Sequence, residues 1–87
     1  MTNMSLPYLA SNGGMVVEAN QDVYHICLPE ATVIVRISYD DWAVEFPPNW
    51  LHTPEEGEFV GSEAMKTLRD YFSCTKDEDL VGANLLS

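Results

Sequence analysis

Two histidines and two cysteines are the side chains of this sequence whose ordinary pKa values best suit a base or a nucleophile near neutral pH. His25 and Cys27 lie two residues apart in a strand-like segment, so both would point to one face, where a histidine can activate a cysteine. Neither cysteine has a papain-like context, and no serine lies in a nucleophile elbow. We therefore expect a half-exposed strand histidine at position 25, no catalytic residues and no enzymatic activity.

His52, Glu55 and Glu56 offer one nitrogen and two carboxylates to a metal ion. A second histidine or a cysteine is missing nearby. The run Asp77-Glu78-Asp79 lacks the alternating acids and the central glycine of a calcium loop, and Gly13-Gly14 lacks the third glycine and the lysine of a phosphate-binding loop. The sequence therefore predicts no metal site and no cofactor.

Acidic side chains dominate the charge of the chain. Fourteen acids against four bases give a formal charge of −10 over 87 residues. Nucleic-acid backbones and anionic membranes repel such a surface, because both are bound mainly through lysine and arginine. We therefore expect no direct nucleic acid and no membrane as partner, and instead a basic protein, which this charge would attract.

Composition and length indicate one small folded domain. Hydrophobic residues make up 46% of the sequence, which is too rich for a disordered chain, and 87 residues fit a single core. Residues 1–9 lack a secretory signal, so we expect a cytoplasmic protein in which Cys27 and Cys74 are free thiols. The chain divides into a flexible N-terminal arm (1–14), a domain (15–74) and an acidic and apolar C-terminal tail (75–87), which either docks on the domain or binds a partner.

Four segments rich in β-branched and aromatic residues predict strands at 15–19, 23–28, 33–39 and 42–46. Short connections make them an antiparallel meander. Residues 49–61 read as an irregular loop, and Ser62 is a good N-cap for a helix to Cys74. The fold class is thus α+β, a four-stranded antiparallel β-meander with one C-terminal α-helix packed on one face.

Apolar alternation predicts which residues face the helix. Pairing across a two-residue turn at Asp40-Asp41 places Tyr39 opposite Trp42, and pairing of the first two strands places Met15 opposite Ile26, all facing inward. The opposite face then carries a row of Val16, His25, Arg36 and Glu45, in which Arg36 can pair with Glu45. The inward helix residues are Ala64, Met65, Leu68, Tyr71 and Phe72, whereas Glu63, Lys66, Thr67, Asp70 and Ser73 lie outward.

The acids collect at both ends of this predicted sheet. The first and third turns share one end, and the loop with Glu30 shares the other end with residues 55–58. Trp50 follows Pro-Pro-Asn among these acids, either as an anchor against the helix or as an aromatic ring that a basic partner grips. The predicted partner-binding residues are Asp22, Asp40, Asp41, Trp50, Glu55, Glu56 and Glu58.

In size and charge alone, the chain resembles small phage-encoded anti-defence proteins, such as anti-CRISPR and anti-restriction inhibitors, and bacterial immunity proteins that neutralise nuclease toxins. This resemblance implies a non-enzymatic inhibitor or decoy of a nucleic-acid-handling enzyme or complex, acting in the host cytoplasm if phage-encoded, with acids that imitate a phosphate backbone. The alternative is an accessory subunit or adaptor that binds through the apolar outer sheet face and the tail. Exposed edge strands allow a homodimer, although like charge favours a monomer.

Overall fold

The computed structural model describes residues 6–20 and 22–83. In chain order its elements are β1 (Tyr8–Leu9), β2 (Met15–Asn20), β3 (Val23–Cys27), β4 (Thr32–Ile37), β5 (Trp42–Glu45), α1 (Pro54–Phe72) and a 3-10 helix (Asp77–Leu80). Neighbouring strands pair antiparallel in the order β1-β2-β3-β4-β5, which is a meander. The α+β class and the antiparallel sheet are confirmed. The sheet has five strands rather than four, because residues 8 and 9 of the predicted arm pair with β2.

The register between β4 and β5 differs from the prediction by two residues. Ile37 pairs with Trp42, so a four-residue turn closed by the Ser38 N–H to the Asp41 carbonyl oxygen (2.8 Å) replaces the two-residue turn. Tyr39 lies in this turn, 78% exposed, and its predicted inward position is wrong. A shift of two residues leaves every other side chain on its predicted face, since side chains alternate with a period of two.

The register of β2 differs by one residue, which exchanges its two faces. Val16 pairs with Ile26 and is 2% exposed, whereas Met15 pairs with Cys27 and is 37% exposed. The predicted inward position of Met15 is therefore wrong, and so is the predicted place of Val16 in the outer row. A bulge between Glu18 and Asn20 adds one residue to this strand before the turn.

The helix has its N-cap at Thr53, nine residues before the predicted N-cap at Ser62. The Thr53 side chain accepts a hydrogen bond from the Glu56 N–H (3.1 Å), and the Glu56 carboxylate accepts one from the Thr53 N–H (2.7 Å). This capping box, with Pro54 at the first helical position, starts α1. The predicted loop over residues 49–61 is thus wrong from Pro54 onward. Ser73 ends the helix in the left-handed conformation, with φ 58°.

The core lies between α1 and the inward face of β2, β3 and β4. Ala64, Met65 and Leu68 are buried as predicted, and Leu80 of the 3-10 helix joins them. Trp42 packs partly buried against this core, which agrees with its predicted inward position. Burial of this apolar surface is the main stabilising term of the fold.

Thr67 is fully buried, which contradicts its predicted outward position. Its hydroxyl donates to the Glu63 carbonyl oxygen (2.8 Å) and accepts from the Asn12 side-chain amide (2.9 Å). Gly14 makes this approach possible, because a Cβ there would lie 2.4 Å from the Thr67 Oγ1. The turn before β2 is thereby held against the helix.

Asp70 also binds the N-terminal segment rather than pointing into solvent. Its carboxylate accepts hydrogen bonds from the Tyr8 hydroxyl and from the Ser11 N–H, both at 3.0 Å. The hydrogen bond to this carboxylate, with its negative charge, raises the pKa of Tyr8. Asp70 therefore connects β1 to the last turns of α1.

The segment after α1 contacts the domain as far as it is described. Arg69 forms an ion pair with Asp77, and the Gly82 N–H donates to the Ser38 carbonyl oxygen (2.9 Å). Leu85 and Leu86, the last two apolar residues of the predicted tail, lie outside the described residues. Over residues 6–20 and 22–83, no helix has the length and apolarity needed to span a membrane.

Candidate functional site

The end of the sheet formed by the β2–β3 and β4–β5 turns is called here the turn end. Asp22 and Asp41 lie together there, as the sequence predicted, and the Ile37 N–H donates to the Asp22 carbonyl oxygen (2.9 Å). They line an open depression of about 320 Å³, together with Arg36, Ile37, Ser38, Trp42 and Ala43. The turn end therefore presents a tryptophan beside carboxylates.

Two of the three aspartates at the turn end take part in the turn itself. The Asp40 carboxylate accepts a hydrogen bond from the Ser38 hydroxyl (3.0 Å), and the Asp41 carboxylate accepts one from the Trp42 N–H (2.8 Å). Short polar side chains commonly stabilise turns in this way. Asp40 and Asp41 thus have a structural role whether or not they bind a partner.

The opposite end of the sheet, called the helix end, contains a second cavity, the Trp50 groove. It has a volume of about 460 Å³ and is lined by Glu30, Trp50, Glu55, Glu56, Phe59 and Val60. Three predicted site residues, Trp50, Glu55 and Glu56, therefore lie around one groove. Glu58 is exposed on α1 but does not line it.

Phe59 and Val60 were missing from the predicted site because residues 49–61 read as a loop. In α1 they stand four residues after Glu55 and Glu56, and residues four apart lie on one face of a helix. The Thr53-x-x-Glu56 capping signature, followed by an apolar pair, could have revealed this arrangement.

Trp50 is fixed by the residues around it. Its ring stacks on His52, with centroids 4.0 Å apart and planes at 17°, and Phe46 packs at 5.4 Å. The His52 Nδ1 lies 2.9 Å from the Trp50 carbonyl oxygen, and a Cβ at Gly57 would lie 2.9 Å from the His52 Cδ2. Trp50 is half-buried against the core, which agrees with its predicted role as an anchor, and it also lines the groove. Binding of its ring by a partner stays a prediction.

The two glutamates of the first helical turn differ in their contacts. Hydrogen bonds from the backbone and the side chain of Thr53 lower the pKa of Glu56, because they favour its charged form. The side chain of Glu55 makes no hydrogen bond or ion pair within the described residues. Glu56 is part of the helix cap, and Glu55 is open to a ligand.

Little of the acidic charge is neutralised inside the molecule. All fourteen acids and all four bases lie within residues 6–20 and 22–83, and two ion pairs are found there. One is Arg36 with Glu45 at 3.4 Å, which confirms that predicted pair, and the other is Arg69 with Asp77. None of the six carboxylates of the predicted site belongs to an ion pair in the described part of the chain.

The other groups with possible chemistry, His25, Cys27 and Cys74, line neither the depression nor the Trp50 groove. His25 and Cys27 are half-buried on the outer face, away from α1, and Cys27 and Cys74 are free thiols. Burial raises the pKa of the Cys74 thiol, and the Asp79 carboxylate raises it further. Residues 6–20 and 22–83 contain no group of three or more His, Cys, Asp or Glu side chains placed to hold a metal ion.

The fold and this surface together describe an acidic α+β domain with two carboxylate-rich ends. Comparison of the chain with protein-family models, with curated proteins and with solved structures gives no match.

Proposed function

We propose that this protein is a small acidic, non-enzymatic inhibitor or decoy that occupies the basic surface of a nucleic-acid-handling protein in the cytoplasm. The observation that carries the proposal is the set of six carboxylates at the two ends of the sheet, none of which pairs with a lysine or arginine of the described chain. Charges left unpaired on a surface steer and hold a partner of opposite charge.

The placement of the acids supports competition with nucleic acid. The cationic surface that would attract these carboxylates is the kind of surface that binds phosphates. A protein seated there would exclude the nucleic acid without resembling it in shape. Two narrower proposals follow from it. The carboxylates imitate a phosphate backbone, and the protein acts as phage anti-defence inhibitors or nuclease immunity proteins do.

The test compares two triple variants that remove equal charge. The end variant, Asp22→Asn with Glu55→Gln and Glu58→Gln, alters site carboxylates that make no hydrogen bond or ion pair among the described side chains. The matched control, Glu18→Gln with Glu78→Gln and Asp79→Asn, alters exposed acids that line neither cavity. Basic proteins that bind the immobilised wild-type chain are identified, purified and assayed for nucleic-acid binding as the wild-type chain or a variant is added.

We expect the wild-type protein to displace nucleic acid from the purified partner, with an affinity that falls steeply between about 0.05 and 0.5 M KCl. The end variant should bind at least about tenfold more weakly, whereas the control should bind like the wild type. An affinity that ignores salt, or equal weakening in both triple variants, would contradict the proposal.

A second candidate function is an adaptor that binds through the outer sheet face. Leu9 and Met15 on this face are 70% and 37% exposed, and apolar patches of this kind often mark interaction sites. Ile34 lies in the same face, so Ile34→Glu should abolish partner binding by an adaptor and leave binding through the acidic ends unchanged. Burial of Leu80 in the core removes that residue from the proposed binding tail.

A further inference from the structure

The Trp50 groove combines apolar rings with carboxylates from two separate parts of the chain. Glu30 comes from the loop between β3 and β4, whereas Glu55 comes from the first turn of α1. Trp50 and Phe59 line the same groove, and Phe59 is 55% exposed. An aromatic ring that is exposed inside a groove is available to a ligand rather than to the core.

The mixture restricts the chemistry of an occupant. An anion would be repelled by the carboxylates, and a wholly apolar group would strip them of water without replacing their hydrogen bonds. A cation with a flat apolar surface satisfies both parts of the groove, because it attracts carboxylates and also stacks on aromatic rings. The volume of about 460 Å³ falls in the usual range of ligand pockets, roughly 300–1,000 Å³.

Arginine fits these requirements better than lysine. Its guanidinium is planar, carries five N–H donors and is weakly hydrated, whereas the lysine ammonium is a compact and strongly hydrated charge. We propose that the Trp50 groove binds the side chain of a single arginine presented by the basic partner, an inference that rests on the proposed function. The guanidinium lies between Glu30 and Glu55 and stacks on the exposed ring of Phe59.

The groove is organised before any ligand arrives. His52 covers one face of Trp50, and Gly57 leaves the space that His52 occupies against α1. The capping box fixes Glu56. The walls formed by Trp50 and by the start of α1 are therefore already ordered, which lowers the entropic cost of association.

The test uses the full-length protein labelled with ¹⁵N and three capped tripeptides that differ at the central residue: arginine, lysine or citrulline, the neutral counterpart of arginine. The two tryptophans provide separate reporters, because Trp50 lines the groove and Trp42 lines the depression at the turn end. A Trp42→Phe variant assigns the two indole N–H signals in the NMR spectrum.

We expect the arginine peptide to shift the Trp50 indole and the Phe59 amide signals saturably, with little change at Trp42. The lysine peptide should bind about threefold more weakly, and Phe59→Ser should weaken arginine binding by about three- to fivefold. The citrulline peptide should give no saturable shift. Leu51→Ser is the matched control, since Leu51 is 93% exposed beside Trp50 but does not line the groove, and it should bind like the wild type.

Any of four results would overturn the arginine site. Two are equal binding of the arginine and citrulline peptides and equal binding of the arginine and lysine peptides. The other two are equal shifts at Trp42 and Trp50 and unaltered arginine binding by Phe59→Ser. These results are separable from the test of the proposed function. If the triple end variant fails to bind the basic partner while Phe59→Ser binds both partner and peptide normally, the proposed function stands without the arginine site. If the peptide binds as expected but no basic partner is inhibited, the groove stands without the proposed function.

Discussion

The turn end and the helix end of the sheet each place a tryptophan beside carboxylates, but the carboxylates at the two ends differ in how many take part in local hydrogen bonds. At the turn end, Asp40 and Asp41 accept hydrogen bonds from Ser38 and from the Trp42 backbone. These contacts shape the four-residue turn that fixes the β4–β5 register. Much of the acidity at the turn end therefore serves the local fold.

At the helix end, one glutamate stabilises the fold and its neighbour does not. Glu56 completes the helix cap, and Glu55, one residue earlier, makes no hydrogen bond or ion pair with any described side chain. Phe59 stays exposed next to it. Acidic residues thus stabilise a turn at one end of the sheet and line an open groove at the other.

The N-cap at Thr53 should give the largest effect on the helix end. Thr53→Ala removes the side-chain acceptor of the Glu56 N–H, which we expect to lower the free energy of unfolding by about 1–2 kcal/mol. Urea unfolding followed by circular dichroism measures this loss. Thr53→Ser keeps the hydroxyl and should stay close to the wild type, so an equal loss in both variants would show that the cap is not responsible.

The next prediction compares acids between the ends directly. Asp41→Ala leaves the Trp42 N–H without its acceptor and should lower the free energy of unfolding by about 1 kcal/mol. Glu55→Gln removes a charge from the first turn of α1 and should change it by about 0.5 kcal/mol or less. Denaturant unfolding of both variants checks the difference, and a larger loss from Glu55→Gln would reverse the comparison.

The strands were predictable because alternating apolar residues and turn residues mark them, and errors of two residues in register preserve each face. The β2 register was not predictable from this pattern. Met15, Val16 and Val17 are all apolar, so either set could face the core, and the bulge that decides between them has no strong sequence signal.

The sequence predicted which acids and which tryptophan belong to the candidate site, but not the helix that arranges them. Trp50 and the acids of residues 55–58 lie close together in the sequence, which placed them at one end of the sheet. Two glycines, Gly57 and Gly61, disfavour helix and hid the first turns of α1. Phe59 lies on the same face as Glu55 only because these residues are helical, which the sequence reading did not predict. Packing of the inward face of α1 against the sheet explains why the helix tolerates both glycines.

Those two glycines supply a matched pair with smaller effects. A Cβ at Gly61 would lie 3.5 Å from the Phe46 Cζ, an ordinary contact, so Gly61→Ala should stabilise the protein by about 0.5–1 kcal/mol through helix propensity. A Cβ at Gly57 would lie 2.9 Å from the His52 ring and force it off Trp50. Gly57→Ala should therefore lack this gain and alter Trp50 fluorescence. Equal stabilisation by both substitutions, with unchanged fluorescence, would show that His52 does not hold the tryptophan.

The smallest predicted effect concerns acid stability and the structural role of Glu56. Hydrogen bonds from Thr53 hold its pKa in the folded protein below the ordinary value of 4.5. A carboxylate with a lowered pKa stabilises the fold above pH 4.5, and this contribution disappears as the pH falls through the folded-state pKa. Glu56→Gln retains an acceptor oxygen for the Thr53 N–H but does not titrate. Stability measured by urea unfolding should therefore fall more steeply below pH 4.5 in the wild type than in Glu56→Gln. If the two proteins lose stability in parallel, the cap does not favour the charged form of Glu56, and this carboxylate would be as free for a ligand as that of Glu55.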